Sequence, residues 1–192
     1  MSVDLAQIHD AALRLAVVSA DVANYCDHVE HNESADVAAV RDAGRGLRVT
    51  AIEVCGAAGV DAIDLYANRL AAIEARNVLS RDGLFDGAEA ARAADGWRAL
   101  QLVQADHDRA YHPDVVGLTK ADQLRHYALH VAKLAGATAG VARGDLPYDD
   151  WLTRRVADML LFGLKLATVS GQKLADEVPL HQDSRRVAVV SM

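Results

Sequence analysis

Asp4–Val29 reads DLAQIHDAALRLAVVSADVANYCDHV, and within it Ile8, Ala11, Leu15, Val18, Val22, Tyr25 and Val29 recur at alternating spacings of three and four. An α-helix turns once every ~3.6 residues, so this spacing draws one apolar stripe down one face. A helix with a single buried stripe needs other helices to cover it, and the rest of the chain supplies them. Ser34 or Asp36 is placed to cap a second helix running to about Ala57, which Gly59 ends. Asp61 with Asp64 starts a third, whose stripe is Ile63, Tyr66, Leu70 and Ile73 and which ends near Asn77. Trp97 through Tyr111 forms a fourth, closed by His112-Pro113. Thr119 with Asp122 caps a fifth, striped by Leu124, Tyr127, Val131, Leu134 and Thr138 and ending near Gly144. Asp149 is expected to cap a sixth, apolar on nearly every side from Val156 to Val169 and stopped by Gly171; a short seventh follows over Leu174 to Val178.

The composition agrees with this reading. Of 192 residues, 52% are hydrophobic and only 5% aromatic, so the apolar content is chiefly Ala, Leu and Val, which suits close helix packing better than a sheet. Proline occurs only at Pro113, Pro147 and Pro179, where helices end or begin. The expected fold is all-α: an antiparallel bundle of six to seven helices. The chain divides into a first half at 1–80, a linker at 81–96, a second half at 97–180 and a flexible tail at 181–192.

A net charge of −7 argues against non-specific nucleic-acid binding, which needs basic surface to displace counterions. No apolar run is long enough for a membrane span, and no basic start followed by an apolar stretch marks a signal peptide. Cys26 and Cys55 sit inside apolar helical patterns and read as free thiols. Together these features point to a cytoplasmic protein.

An internal repeat is visible. Ala12–Tyr25 (ALRLAVVSADVANY) matches Ala128–Val141 (ALHVAKLAGATAGV), and each is followed by a polar loop, an apolar helix, a glycine (Gly59 or Gly171) and a further helix, from Asp61 or Lys173. Two such halves would pack face to face as a pseudo-symmetric bundle.

Several residues carry candidate chemistry. His126 and His130 are four apart on the fifth helix, a spacing that suits two ligands to one transition metal or a polar flank beside the apolar stripe. Asp106, His107, Asp108 and His112 end the fourth helix, where they could add a third ligand or complement the helix dipole. Asp158 interrupts an apolar run and must be partnered; Arg154 and Arg155, four and three residues back, offer a local ion pair. Lys165 extends that polar stripe and could meet a phosphate, as could Lys133, one turn beyond His130. Asp21 borders the first stripe, while Glu53 and Glu74 are expected to face solvent. Neither a glycine loop that cradles phosphate nor a nucleophile elbow is present.

The stretch Arg154–Glu177, RRVADMLLFGLKLATVSGQKLADE, with its counterpart from Val49 through Gly59 to Leu70, resembles the MazG-like all-α nucleoside triphosphate pyrophosphohydrolases. The resemblance covers about half the chain. It implies two MazG-like halves, a homodimer, a nucleotide or related phosphorylated ligand, and magnesium or manganese held by carboxylates from a Glu-x-x-Glu and a Glu-x-x-Asp. Asp158 stands at the Asp position, but Arg155 stands where that motif has Glu. At the other motif the second half has Leu134 and Ala137 and the first half has Val18 and Asp21. Gly46 falls at the first-half counterpart of Asp158.

On this basis Asp158 and Asp21 are the expected catalytic acids, Lys133 and Lys165 the phosphate contacts, and His126, His130 and Asp158 the expected metal ligands. The metal would be Mg or Mn, or a transition metal if the histidines bind it. Two other readings stay open: a non-catalytic helical dimer or partner-binding regulator, and a helical metalloenzyme that uses the histidines with Asp106 or His112.

Overall fold

The structure, a computed structural model, describes residues 3–77 and 85–175. Among these the chain is all-α: α1 (Leu5–Glu30), α2 (Val37–Ala58), α3 (Ala62–Glu74), α4 (Gly87–Arg92), α5 (Trp97–Tyr111), α6 (Pro113–Val116), α7 (Lys120–Ala142), α8 (Tyr148–Asp150), a π-helical segment (Trp151–Val156) and α9 (Ala157–Val169). None of the described helices is long and apolar enough to cross a membrane.

Local chemistry sets the boundaries. Asp4 caps α1 in a reciprocal box with Gln7, Asp36 caps α2 through Ala38 N, and Asp61 accepts from Ile63 N and Asp64 N at the start of α3. Thr119 accepts from Asp122 N in front of α7. Gly59 and Gly171 take φ of 70° and 71°, a left-handed conformation that costs glycine least, and the chain leaves the helix at both.

Two expectations are corrected. Asp149 does not cap the last helical run: Pro147 precedes it, and Asp149 lies within its first turn. Within 81–96, α4 forms with Asp86 as its cap and buries Ala88 and Ala91 between α3 and α5. No helix starts at Lys173. Residues 172–175 are irregular there, and Gln101 of α5 donates to Gln172 O (2.7 Å) and accepts from Leu174 N (3.1 Å). The rest of the expected seventh segment and the tail at 181–192 lie outside the described residues.

The two segments of the internal repeat, α1 and α7, lie side by side. They run antiparallel, since His9 meets Ala142 O (3.1 Å) and Glu30 pairs with Arg125 (3.3 Å). The helices that follow each of them, α2 and α9, also pack against one another. The centre is α9, which touches α2, α3, α5 and α7 and buries every residue except Thr168. Its crossing with α2 is close because both helices place glycine there. A Cβ on Gly163 would lie 2.6 Å from Arg48 Cγ and 2.9 Å from Gly44 O, and one on Gly44 would lie 3.1 Å from Gly163 O. Arg48, itself buried, donates to Gly163 O (2.8 Å) and lies over the Trp97 ring. Both cysteines are free, and burial pushes the Cys55 thiol up to about 12.

This crossing has a measurable consequence. Gly163→Ala is expected to lower stability by about 2–3 kcal/mol through overpacking. Gly136→Ala, on an exposed turn of α7 with nothing within 4 Å, is expected to raise it by about 0.5–1 kcal/mol. Urea denaturation of the two variants checks this; equal effects would show that the α2–α9 approach is not tight.

Candidate functional site

A cleft of ≈ 640 Å³ opens where α3, α6, α7 and α9 meet, within the size range of small-molecule sites. Three helical stripes line it. From α3 and the turn after it come Arg69, Ile73 and Arg76; from α7 come His126, His130 and Lys133; from the π-helical segment and α9 come Arg155, Asp158, Phe162 and Lys165. The spacings of three and four within each stripe put its members on one helix face. His112, just before α6, and Asp114 and Val115 within it close one side. The π-helical segment, Trp151–Val156, leads into α9, and Arg155 near its end stands three residues before Asp158.

Of the residues singled out in the sequence, Asp158, His126, His130, Lys133 and Lys165 all line this cleft. Asp21 does not: it is exposed on α1 and is not among the lining residues. Asp158 has a partner, though mainly not the local one expected. Arg69 of α3 reaches it through Nε (2.6 Å) and Nη2 (3.3 Å), Arg155 stands 3.7 Å away, and Arg154 turns instead to Asp150 (3.0 Å). With Asp158 8% exposed and Arg69 13%, this is a forked, largely desolvated ion pair.

Lys165 is anchored from behind. Its Nζ lies 2.8 Å from Asp108 Oδ1, which also accepts from Gln104 Nε2 (2.9 Å), and Gln104 Oε1 accepts from the Tyr66 hydroxyl (2.7 Å). Burial, with Asp108 adding to it, holds the Tyr66 phenol well above its usual range, so it stays a donor. The Lys165 ammonium also lies over the rings of Tyr127 (5.6 Å) and Phe162 (5.3 Å). One chain of polar contacts thus ties α3, α5 and α9 together beneath the cleft.

The histidines sit in a cationic field. His126 and His130 are 4.8 Å apart by ring centroids, and His130 stacks on Phe162 at 4.6 Å. Burial, then His126, Lys133 and Lys165, push His130 down to about 4; burial and Lys165 also lower His126 and His112. All three rings are therefore neutral at neutral pH. Behind them His107 is fully buried, neither ring nitrogen has a hydrogen-bond partner, and Glu74 lies 3.6 Å from Nε2. Glu74 is not turned to solvent as expected: it is 17% exposed and accepts from Gly87 N (2.9 Å), and burial raises its carboxyl. Glu53 is exposed and pairs with Arg14. Asp106 pairs with Arg109 and stays outside the cleft.

A divalent metal fits this donor set poorly. Among the described residues no three His, Cys, Asp or Glu side chains gather as a metal-binding group. Mg and Mn prefer several oxygen ligands, whereas Asp158 is held by Arg69 and the field around it is positive. Compared with known proteins, the chain matches no family model, no curated protein and no solved structure.

The spacing that placed His126, His130 and Lys133 on one face also holds for Arg69, Ile73 and Arg76, so that second stripe was open to the same reading. The pairing of Arg69 with Asp158 and of Asp108 with Lys165 carries no such signal, because the partners lie 89 and 57 residues apart.

Two measurements follow from these contacts. Removing one member of the buried pair, as in Asp108→Leu, leaves Lys165 uncompensated and is expected to cost about 3–5 kcal/mol. Adding Lys165→Met should restore part of that loss. A double-mutant cycle in urea checks this, and strictly additive losses would show that the pair is not coupled. Separately, an imidazole whose pKa is lower folded than unfolded takes up its proton first in the unfolded chain. Because His107 falls from 6.5 to about 3, stability should decline as pH drops from about 6.5 toward 3, by on the order of 1 kcal/mol per pH unit. Denaturation of His107→Leu across that window should give a shallower slope; an unchanged slope would exclude His107 as a source.

Proposed function

We propose that the cleft is a binding site for a phosphorylated small molecule, and that charge neutralisation by fixed side chains is its main chemical means. One observation carries this reading. In a chain of net charge −7, the described residues of the cleft gather Arg69, Arg76, Lys133, Arg155 and Lys165 against two carboxylates, Asp114 and Asp158. Lining of one sign within low-dielectric walls raises the local concentration of the opposite charge, and guanidinium groups match phosphate oxygens in pairs.

The reading keeps the ligand class that the MazG-like resemblance implies and departs from its metal chemistry. On this reading Lys133 contacts the phosphate together with Arg76 and Arg155, and Lys165, held by Asp108, adds its charge to the field. Asp158 serves as the counter-charge that fixes Arg69. His126 and His130, neutral and next to those cations, act as hydrogen-bond donors or acceptors to the ligand in place of metal ligands. Ile73, Val115, Leu161 and Phe162 supply an apolar wall for the organic part.

The reading is tested by isothermal titration of the protein at low ionic strength with inorganic phosphate and with a nucleoside monophosphate. Saturable binding of one ligand per chain is expected, weakened about tenfold or more in Arg155→Met, as the loss of one charge-assisted hydrogen bond implies. No heat and no thermal stabilisation with either phosphate would overturn it.

A further inference from the structure

We infer that the ligand is a phosphomonoester: a single phosphoryl dianion on an uncharged organic group, read by Arg76 and Lys133. This rests on the reading above and narrows it. The argument is one of charge balance. Among the described residues, the cleft's own cations are Arg69, Arg76, Lys133, Arg155 and Lys165, and its carboxylates are Asp114 and Asp158. One more carboxylate, Asp108, is bound to Lys165 from behind at 2.8 Å. Five positive charges therefore face three negative ones, an excess of two. The neutral histidines leave that balance unchanged.

The cations also differ in how far they are already partnered. Arg69 is spent on Asp158 at 2.6 Å and Lys165 on Asp108 at 2.8 Å, while Arg155 is shared with Asp158 at 3.7 Å. Among the described residues, neither Arg76 nor Lys133 meets a carboxylate. They reach the cleft from different helices, Arg76 from the turn after α3 and Lys133 from α7. Two unspent cations from separate elements suit one compact group whose oxygens can meet both.

A phosphomonoester carries about −1.5 to −2 near neutral pH, which matches an excess of two. A metal-free triphosphate carries about twice that, and its surplus would sit in a partly desolvated cleft beside Asp158 with nothing to offset it. A monocarboxylate would leave one cation unmatched. The four apolar side chains of the lining, Ile73, Val115, Leu161 and Phe162, then face the part of the molecule that carries no charge.

The test is a charge series on the intact chain by isothermal titration in buffer containing a chelator. Its probes are adenosine, adenosine monophosphate, adenosine triphosphate, a hexose 6-phosphate, inorganic phosphate and succinate. At least one of the two monoesters should bind about tenfold tighter than adenosine, the triphosphate and succinate, a factor of the size of one charge-assisted hydrogen bond. Arg76→Met and Lys133→Met should each weaken that monoester about tenfold, while Arg76→Lys and Lys133→Arg keep most of the affinity. Circular dichroism melts confirm that each variant is folded. If the triphosphate or succinate binds as tightly as the monoesters, or if both methionine variants bind normally, the assignment of a phosphomonoester is overturned while the wider phosphate reading stands. If no phosphate compound binds, inorganic phosphate included, both fall together.

Discussion

An ionised side chain removed from water costs several kcal/mol unless an opposite charge meets it, and α9 removes two. Asp158 and Lys165 lie on a helix that contacts neighbours on every side and exposes only Thr168. Their partners are therefore structural requirements. Arg69 must come from α3 and Asp108 from α5, and these two demands fix how α3 and α5 sit against the centre. The same seven-residue interval that separates Asp158 from Lys165 spaces their partners along the wall. The cleft is what lies above that pair of anchored charges. Its cationic character thus follows from how the core is closed as well as from the groups added at its rim.

The centre itself depends on close approach. Gly44 and Gly163 let the backbones of α2 and α9 meet at a distance no larger residue would permit, and Arg48 uses the exposed carbonyl of Gly163 as an acceptor. A bundle with few aromatics gains its density this way: small residues bring backbones together, and Leu15, Leu47, Leu70, Leu134, Leu160 and Leu164 fill what remains. Trp151 fixes the opening of the last helical run, where its indole donates to Thr138 Oγ1 (2.9 Å) and that hydroxyl donates to Leu134 O (2.9 Å).

What could be read in the sequence was whatever is local. The stripe of α1, the caps at Asp36, Asp61 and Thr119, and the stops at Gly59 and Gly171 rest on contacts between residues a few positions apart, and spacing encodes these. His126, His130 and Lys133 were legible for the same reason. Asp158 was legible as a residue in need of a partner, since a carboxylate amid Met159, Leu160 and Leu161 cannot stand alone. Its partner was not, because nothing in the surroundings of Arg69 distinguishes it from the other arginines. Asp149 misled because an acid near a helix start usually caps it; here Pro147 precedes the run and Asp149 lies within its first turn. Lys173 misled because Gln101, distant in sequence on α5, holds the backbone of Gln172 and Leu174.

Asp158 is held by the guanidinium of Arg69, and a guanidinium makes different demands on its surroundings than a dication would. A dication needs a cage of oxygens, and removing one carboxylate weakens its hold on the rest. A guanidinium is tethered, always charged, and needs only one carboxylate to fix it, leaving other N–H donors for a ligand. Arg155, 3.7 Å from the same carboxylate, adds a second fixed positive charge beside the pair. The two features act in the same direction, since both set tethered cations around one buried acid. On the reading proposed above, the pairing at Arg69 and the charge at Arg155 work together: Asp158 fixes a guanidinium, and the cations around it meet the phosphoryl group.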